Sequence, residues 1–125
     1  MIFDAMFRQN NILGAASNAA NVRNEVIVNN IANADVPGFK SKAVDFEASL
    51  AEAIDRYRQT GNLDLSGASP SIRLTNENYN YRIDKNNVDM ELEMVNLYQN
   101  AIKFETFITC MQSNSKRLSM ALTGR

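Results

Sequence analysis

The N-terminal third of the chain carries apolar residues at helical spacing. Between residues 5 and 27 an apolar side chain returns every three or four positions, apart from a polar gap at Arg8, and a second apolar row lies beside the first. This pattern predicts one long amphipathic helix. The helix should end near Val36, because that residue precedes Pro37 and a residue before proline is pushed out of the helical conformation. We therefore predict an N-terminal helix over residues 1–34.

The C-terminal third has a still more regular pattern, with apolar or small residues at alternating spacings of four and three. A four-three repeat over more than four heptads predicts a coiled-coil helix over residues 89–125. Acidic residues at its start and Gly124 near its end suit the two ends of a helix. We call this row the apolar seam, and it comprises Met90, Met94, Leu97, Ala101, Phe104, Ile108, Met111, Ser115, Leu118 and Leu122.

The middle of the chain, residues 35–88, is more irregular. Pro37 and Gly38 suit the two central positions of a type II turn. Residues 46–57 predict a short helix, residues 61–71 a loop, and residues 72–83 an extended segment that could form a short hairpin. We predict one mainly α domain, in which the two long terminal helices pack as an antiparallel coiled coil around this middle. Packing between neighbouring molecules is also expected, because a chain of 125 residues has little else to cover such long faces; an ordinary two-helix core is the alternative.

Composition excludes much chemistry. The chain has a formal charge of -1, no His and one Cys, so it lacks the commonest general base and cannot form an internal disulfide. The serines lie in no nucleophile-elbow context, and the acidic run after Asp84 fails the calcium-loop pattern. We therefore predict no enzyme activity, cofactor, metal site, nucleic-acid binding or membrane insertion. The single cysteine, Cys110, is expected to be a small packed residue beside the apolar seam.

Asparagine is unusually frequent, with eight in the first 33 residues. Asn is a mediocre helix former that favours caps and side-chain hydrogen bonds to the backbone. The N-terminal helix should therefore depend on packing for stability, and its amides could supply uncharged contacts along an interface. Compositional drift is the alternative interpretation.

Two segments resemble signatures of the bacterial flagellar rod and hook axial proteins. Residues 29–40 (NNIANADVPGFK) are similar to the signature that closes the N-terminal helix in that family. Residues 86–94 (NNVDMELEM) resemble the companion signature of its proximal rod subunits, and residues 43–46 (AVDF) resemble the segment that follows the first signature. Phe39 stands where the family often has Tyr, and residues 62–81 match nothing in it.

The resemblance implies a structural subunit of the proximal rod that joins the MS ring and export gate to the distal rod. It implies export through the flagellar type III apparatus without a cleavable signal peptide, and assembly in the periplasmic space. The implied partners are copies of the chain, the adapter protein FliE, the rod proteins FlgC and FlgF, and the export gate. A different rod protein such as FlgC is the alternative within the family, and a small coiled-coil adaptor or secretion chaperone is the alternative outside it.

We expect subunit contacts to come from both long helices and from the turn between them. The N-terminal signature supplies part of this set by resemblance, and the apolar seam supplies most of the rest. The predicted interface residues are Leu13, Val22, Ile27, Asn30, Asn33, Pro37, Gly38, Phe39, Met94, Leu97, Phe104, Ile108, Met111 and Leu118.

Overall fold

The computed structural model describes residues 1–75, 78, 80 and 82–124. In this part of the chain, three helices and two short strands follow one another in the order α-β-α-β-α. They are α1 (Ile2–Ala32), β1 (Lys42–Asp45), α2 (Glu47–Thr60), β2 (Ser71–Leu74) and α3 (Met90–Thr123). The two long helices confirm the prediction of a mainly α fold. Among the described residues, no helix combines the length and the apolar character needed to cross a membrane.

The two long helices pack together, and this is the most extensive contact between elements. Hydrogen bonds join them at both ends. The Nδ2 of Asn114 donates to the Oδ1 of Asn10 at 3.0 Å, and the Nδ2 of Asn30 donates to a carboxylate oxygen of Glu93 at 3.1 Å. The two long helices therefore contact each other along most of their length.

The face of α3 that is least exposed differs from the predicted apolar seam. Half of the seam is partly buried, namely Leu97, Phe104, Ile108, Met111 and Leu118, whereas the other five members are exposed. The second inward row is mainly polar. We call it the polar row, and it comprises Glu93, Asn100, Phe107 and Asn114. The least exposed face of the helix is thus rotated from the seam toward the polar row.

A small apolar core lies on another side of α1. Ala19 of α1 packs with Phe46, with Ala53 of α2 and with Ala68 of the following loop. The small alanine side chains allow these elements to pack together. The partly buried residues Ala15, Ala16, Leu50 and Leu65 complete the cluster. This contact fixes the middle segment against the N-terminal helix.

The two strands form an antiparallel pair in which Val44 faces Ile72 across the ladder. The pattern of residues 72–83 predicts an extended segment. This prediction is confirmed for residues 72–74. The partner of that strand is β1, not a second strand of the same segment. Residues 76, 77, 79 and 81 of the expected extended segment lie outside the described residues.

Several local predictions hold and one is wrong. The amide N–H of Phe39 donates to the carbonyl of Val36 and Gly38 has φ +74°, as a type II turn requires. Gly124 ends α3 in the left-handed conformation, as expected. Cys110, by contrast, is exposed and not packed, because its position on α3 points away from the inward face.

Candidate assembly site

The end of α1 and the approach to α3 meet in one cluster, which contains both signature segments. The chain turns directly after α1, and carbonyl groups of this turn meet the side chain of Asn86. Its side-chain amide lies 3.0, 2.9 and 2.8 Å from the carbonyl oxygens of Asn33, Ala34 and Val36. Asn86 is fully buried, at 0% exposure. We call this arrangement the amide clasp.

A second set of contacts surrounds the amide clasp. One guanidinium nitrogen of Arg82 donates to the carbonyl of Ala34 at 3.1 Å and to the carboxylate of Asp35 at 3.2 Å. On the turn itself, the amide N–H of Gly38 donates to the carbonyl of Asp84 at 2.8 Å. The segment before α3 therefore holds the signature turn through side chains and backbone alike.

Asn87 continues the same connection toward the strands. Its Oδ1 accepts a hydrogen bond from the amide of Ser41 at 2.6 Å, and its Nδ2 donates to the carbonyl of Thr75 at 2.7 Å. Consecutive asparagines thus bind the end of α1 and the start of the β-ladder. This explains the two adjacent asparagines that open the second signature.

Asn30 connects α1, β1 and α3. Its side-chain amide pairs with the backbone of Lys42 in both directions, accepting from the N–H at 2.9 Å and donating to the carbonyl at 2.8 Å. The same Nδ2 lies 3.1 Å from the carboxylate of Glu93. Burial raises the pKa of Glu93, and the negative charge of Asp89 adds to that effect, while the hydrogen bond from Asn30 opposes it.

Arg23 makes a similar contact two helical turns earlier on α1. Its guanidinium donates to the carbonyl of Val44 at 3.1 Å and to the carboxylate of Glu47 at 2.8 Å. Burial alone would raise the pKa of Glu47, but hydrogen bonds from its own backbone N–H and from Arg23 hold that pKa below its usual value. Asn30 and Arg23 together cover the edge of β1 that faces α1.

Large apolar side chains remain exposed on the outer face of α3. We call this set the outer patch, and it comprises Met94, Val95, Tyr98 and Ile102. Tyr98 is 65% exposed and Ile102 66%, and the four side chains lie within little more than two helical turns. Contiguous exposed apolar residues on one helix are typical of a surface that contacts another protein.

The outer face of α1 is rich in exposed amides and carries few charges, and Phe7 and Val28 are also exposed on it. Asn11, Asn18, Asn21 and Asn29 are exposed there, and Gly14 has nothing within 4 Å of the position a Cβ would take. Contacts within the chain therefore explain only some of the asparagines. Asn30, Asn86, Asn100 and Asn114 hold the fold together, whereas the outward ones are available for other contacts.

The structure distributes the predicted interface residues over three environments. Ile27 and Asn30 are buried within the chain. Met94, Pro37 and Gly38 are exposed. The remaining predicted residues are partly buried, namely Leu13, Val22, Asn33, Phe39, Leu97, Phe104, Ile108, Met111 and Leu118. Sequence reasoning missed Val95, Tyr98 and Ile102 as candidate contacts; their spacing beside the apolar seam was the available signal.

Comparison with known proteins identifies the class to which this arrangement belongs. Residues 11–40, which span most of α1 and the signature turn, match the family model of flagella basal body rod proteins. The chain is 34% identical over 117 residues to the flagellar basal body rod protein FlgB of Bacillus subtilis strain 168, covering 87% of this chain and 88% of the relative.

Other relatives show the same similarity over most of the chain. The FlgB proteins of Proteus mirabilis strain HI4320 and Salmonella typhimurium strain LT2 are 32% and 30% identical, each covering 82% of this chain, and 84% and 83% of the relatives respectively. The chain belongs to the FlgB family of flagellar basal body rod proteins. Members of this family are structural components of the rod, not enzymes, and they assemble with other basal-body proteins.

Proposed function

We propose that this chain is a proximal rod subunit, which links the MS ring and export gate to the distal rod through packing of its terminal helices. In this proposal α1 and α3 form an antiparallel coiled coil. Support comes from the hydrogen bonds at their two ends, where Asn10 meets Asn114 and Asn30 meets Glu93. The segments 1–34, 35–88 and 89–125 then act as parts of one structural domain.

The observation that carries the proposal is the outer patch on α3. An exposed Tyr98 or Ile102 contributes nothing to the chain alone, whereas full burial of such a side chain stabilises a contact by about 1.5–3 kcal/mol. Several such side chains on each subunit would strengthen every equivalent contact of a repeating assembly. The amide-rich outer face of α1 supports the same conclusion, because uncharged amides are cheaper to bury than charged groups.

The assignment of partners and location rests on the family. We infer contacts with copies of the chain, with the adapter FliE, with FlgC and FlgF, and with the export gate. The chain would cross the inner membrane through the flagellar type III apparatus without cleavage and assemble in the periplasmic space. Its interface comprises the partly buried and exposed predicted residues together with the outer patch.

A charge placed in the outer patch tests this function. We expect Ile102→Asp or Tyr98→Asp to abolish rod formation, because each contact would then bury an unpaired carboxylate. The chain itself should remain folded, since both side chains are exposed. The measurements are electron microscopy of basal bodies and a swimming assay in cells whose own copy is deleted, with circular dichroism of the purified variants.

Ser113→Asp is the matched control, because Ser113 is exposed on α3 but lies three helical turns beyond Ile102, the last residue of the patch. It should support normal swimming. Normal basal bodies with both patch variants would show that the patch is not a subunit contact. Normal basal bodies in the deletion strain itself would overturn the proposed function altogether.

A further inference from the structure

Helix α3 offers two alternative stripes for packing on α1. Both share the apolar row Leu97, Phe104, Met111 and Leu118. The second row of the stripe can be the rest of the apolar seam, with Met94, Ala101 and Ile108, or it can be the polar row, with Glu93, Asn100 and Asn114. The structure buries the polar row and leaves Met94 and Ala101 exposed.

Burial of apolar area does not explain this choice. The apolar seam would remove more apolar surface from water than the polar row does. The polar row also contains an unpaired hydrogen-bond acceptor. Asn100 is only 3% exposed, and its Oδ1 has no hydrogen-bond partner among the described residues. A buried acceptor without a donor is unfavourable, so stability alone does not account for the asparagine.

The three polar members each have a specific partner on α1. The Nδ2 of Asn100 donates to the carbonyl oxygen of Ala20 at 2.8 Å. Glu93 accepts from Asn30, and Asn114 donates to Asn10. Rotating α3 toward its apolar seam would break these three bonds. A single buried polar residue is known to specify how coiled-coil helices pair, at some loss of stability.

We propose that Glu93, Asn100 and Asn114 are positioning residues, which select the face of α3 that packs on α1. Their selection keeps Met94, Ala101 and the adjoining outer patch on the outside. That these residues are then available to a neighbouring subunit rests on the function proposed above. The choice of face within one chain does not depend on it.

Disulfide cross-linking shows directly which face of α3 packs on α1. In a Cys110→Ser background, Asn10→Cys with Asn114→Cys reports the native face, and Asn10→Cys with Ser115→Cys reports the face rotated toward the apolar seam. Both pairs remove the bond between Asn10 and Asn114, so the test probes Glu93 and Asn100. Each pair is placed in a chain that keeps these two residues, called the native row below, and in a double variant, Glu93→Leu with Asn100→Leu. Phe107→Leu is the matched control, because it changes an apolar member of the same row.

With the native row and with Phe107→Leu, we expect the first pair to cross-link within one chain and the second pair to remain free. In the double variant, the first cross-link should fall and the second should appear. The readout is the faster-migrating cyclised chain on a non-reducing gel, measured both on purified protein and in isolated basal bodies.

Each other result overturns the proposal. A first cross-link that stays dominant in the double variant means that the shared apolar row and the amide clasp suffice to set the face. Equal linking of both pairs with the native row means that no face is selected. Loss of both cross-links and of helical circular dichroism means that the row maintains the fold and does not select a face. If the chain were absent from isolated basal bodies, the proposed function would be contradicted. The purified chain would still show which face of α3 packs on α1.

Discussion

The buried amide of Asn86 binds the turn that follows α1. Its Nδ2 lies within 3.0 Å of three carbonyl oxygens, and its Oδ1 accepts from the amide of Val88 at 2.8 Å. The three carbonyls also accept from the N–H groups of Val36 and Phe39 and from Arg82, so Asn86 strengthens a turn that other donors already hold.

We expect Asn86→Ala to lower the free energy of unfolding by about 1–3 kcal/mol, because it leaves the buried N–H of Val88 without its acceptor and removes one donor from each of three carbonyl groups. Urea denaturation followed by circular dichroism measures the change. Asn21→Ala, which removes an exposed amide from α1, should change the stability by less than about 0.5 kcal/mol. Similar values for the two variants would show that the amide clasp contributes little to stability.

The buried carboxyl of Glu93 makes stability depend on pH. Because its pKa is raised in the folded chain, it contributes stability that is present below about pH 4.5, the ordinary value, and is lost as pH rises through the raised folded pKa. Glu93→Gln keeps an oxygen that accepts from Asn30 but carries no charge. It should therefore be more stable than the native chain at pH 7, and the difference should shrink toward pH 4.

Denaturation midpoints at pH 4 and pH 7 test this, with the exposed neighbouring residue as control in Glu91→Gln. The control should show little difference at either pH. If Glu93→Gln were less stable than the native chain at pH 7, the ionised carboxylate would be a stabilising group, contrary to the expectation.

At the scale of the elements, substitution of two glycines by alanine should change the stability in opposite directions. Gly38 has φ +74° in the signature turn, where an L residue is strained, so Gly38→Ala should destabilise the chain by about 1 kcal/mol. Gly14 lies in the middle of α1 with open space at its Cβ position, so Gly14→Ala should stabilise the chain by up to about 1 kcal/mol.

Thermal unfolding of the two purified variants checks both signs, since steric contacts complicate neither substitution. A swimming assay with Gly14→Ala adds a second measurement. Reduced swimming of the more stable chain would locate a close contact between this turn of α1 and another subunit, whereas normal swimming would leave the glycine without a role in assembly.

The sequence predicted some elements of the fold well and others not at all. Periodicity predicted α1 and α3 within a few residues, because long amphipathic helices repeat one signal many times. It gave no indication of β1, since a strand of four residues has too few positions to establish a pattern. The rotation of α3 was also missed, because apolar periodicity identifies the most apolar stripe, whereas bonds from Asn100 and Asn114 determine the stripe that packs.

The candidate assembly site shows the same division. The resemblance located both signatures, but it did not indicate that Asn86 joins them through carbonyl groups 50 to 53 positions earlier in the chain. Such contacts depend on tertiary packing, which no local pattern encodes. Tyr98 and Ile102 were not predicted as contacts, because their exposure within one chain follows from the rotation of α3.

At the scale of the whole molecule, the inside and the outside of the α1–α3 pair have unusual compositions. Polar side chains lie between the helices, while the outer patch faces away from them. The pair is therefore built with less internal apolar contact than its sequence could supply. Interactions with neighbours can add what the isolated chain lacks, and the deletion and outer-patch variants described above test this at the level of the rod.

The hydrogen bond between Ser41 and Asn87 has a consequence for the architecture of this chain. It closes a loop whose two ends meet at 2.6 Å, so the chain leaves the helical pair and returns to it at one place. The cost of closing a flexible loop grows slowly, by about 0.6 kcal/mol for each doubling of its length. A segment inserted in the exposed stretch at Gly61 and Asn62 would lengthen this loop without moving either long helix. The same helical pair can therefore carry a longer middle segment between α2 and β2, while residues 42–47 keep their contacts with α1.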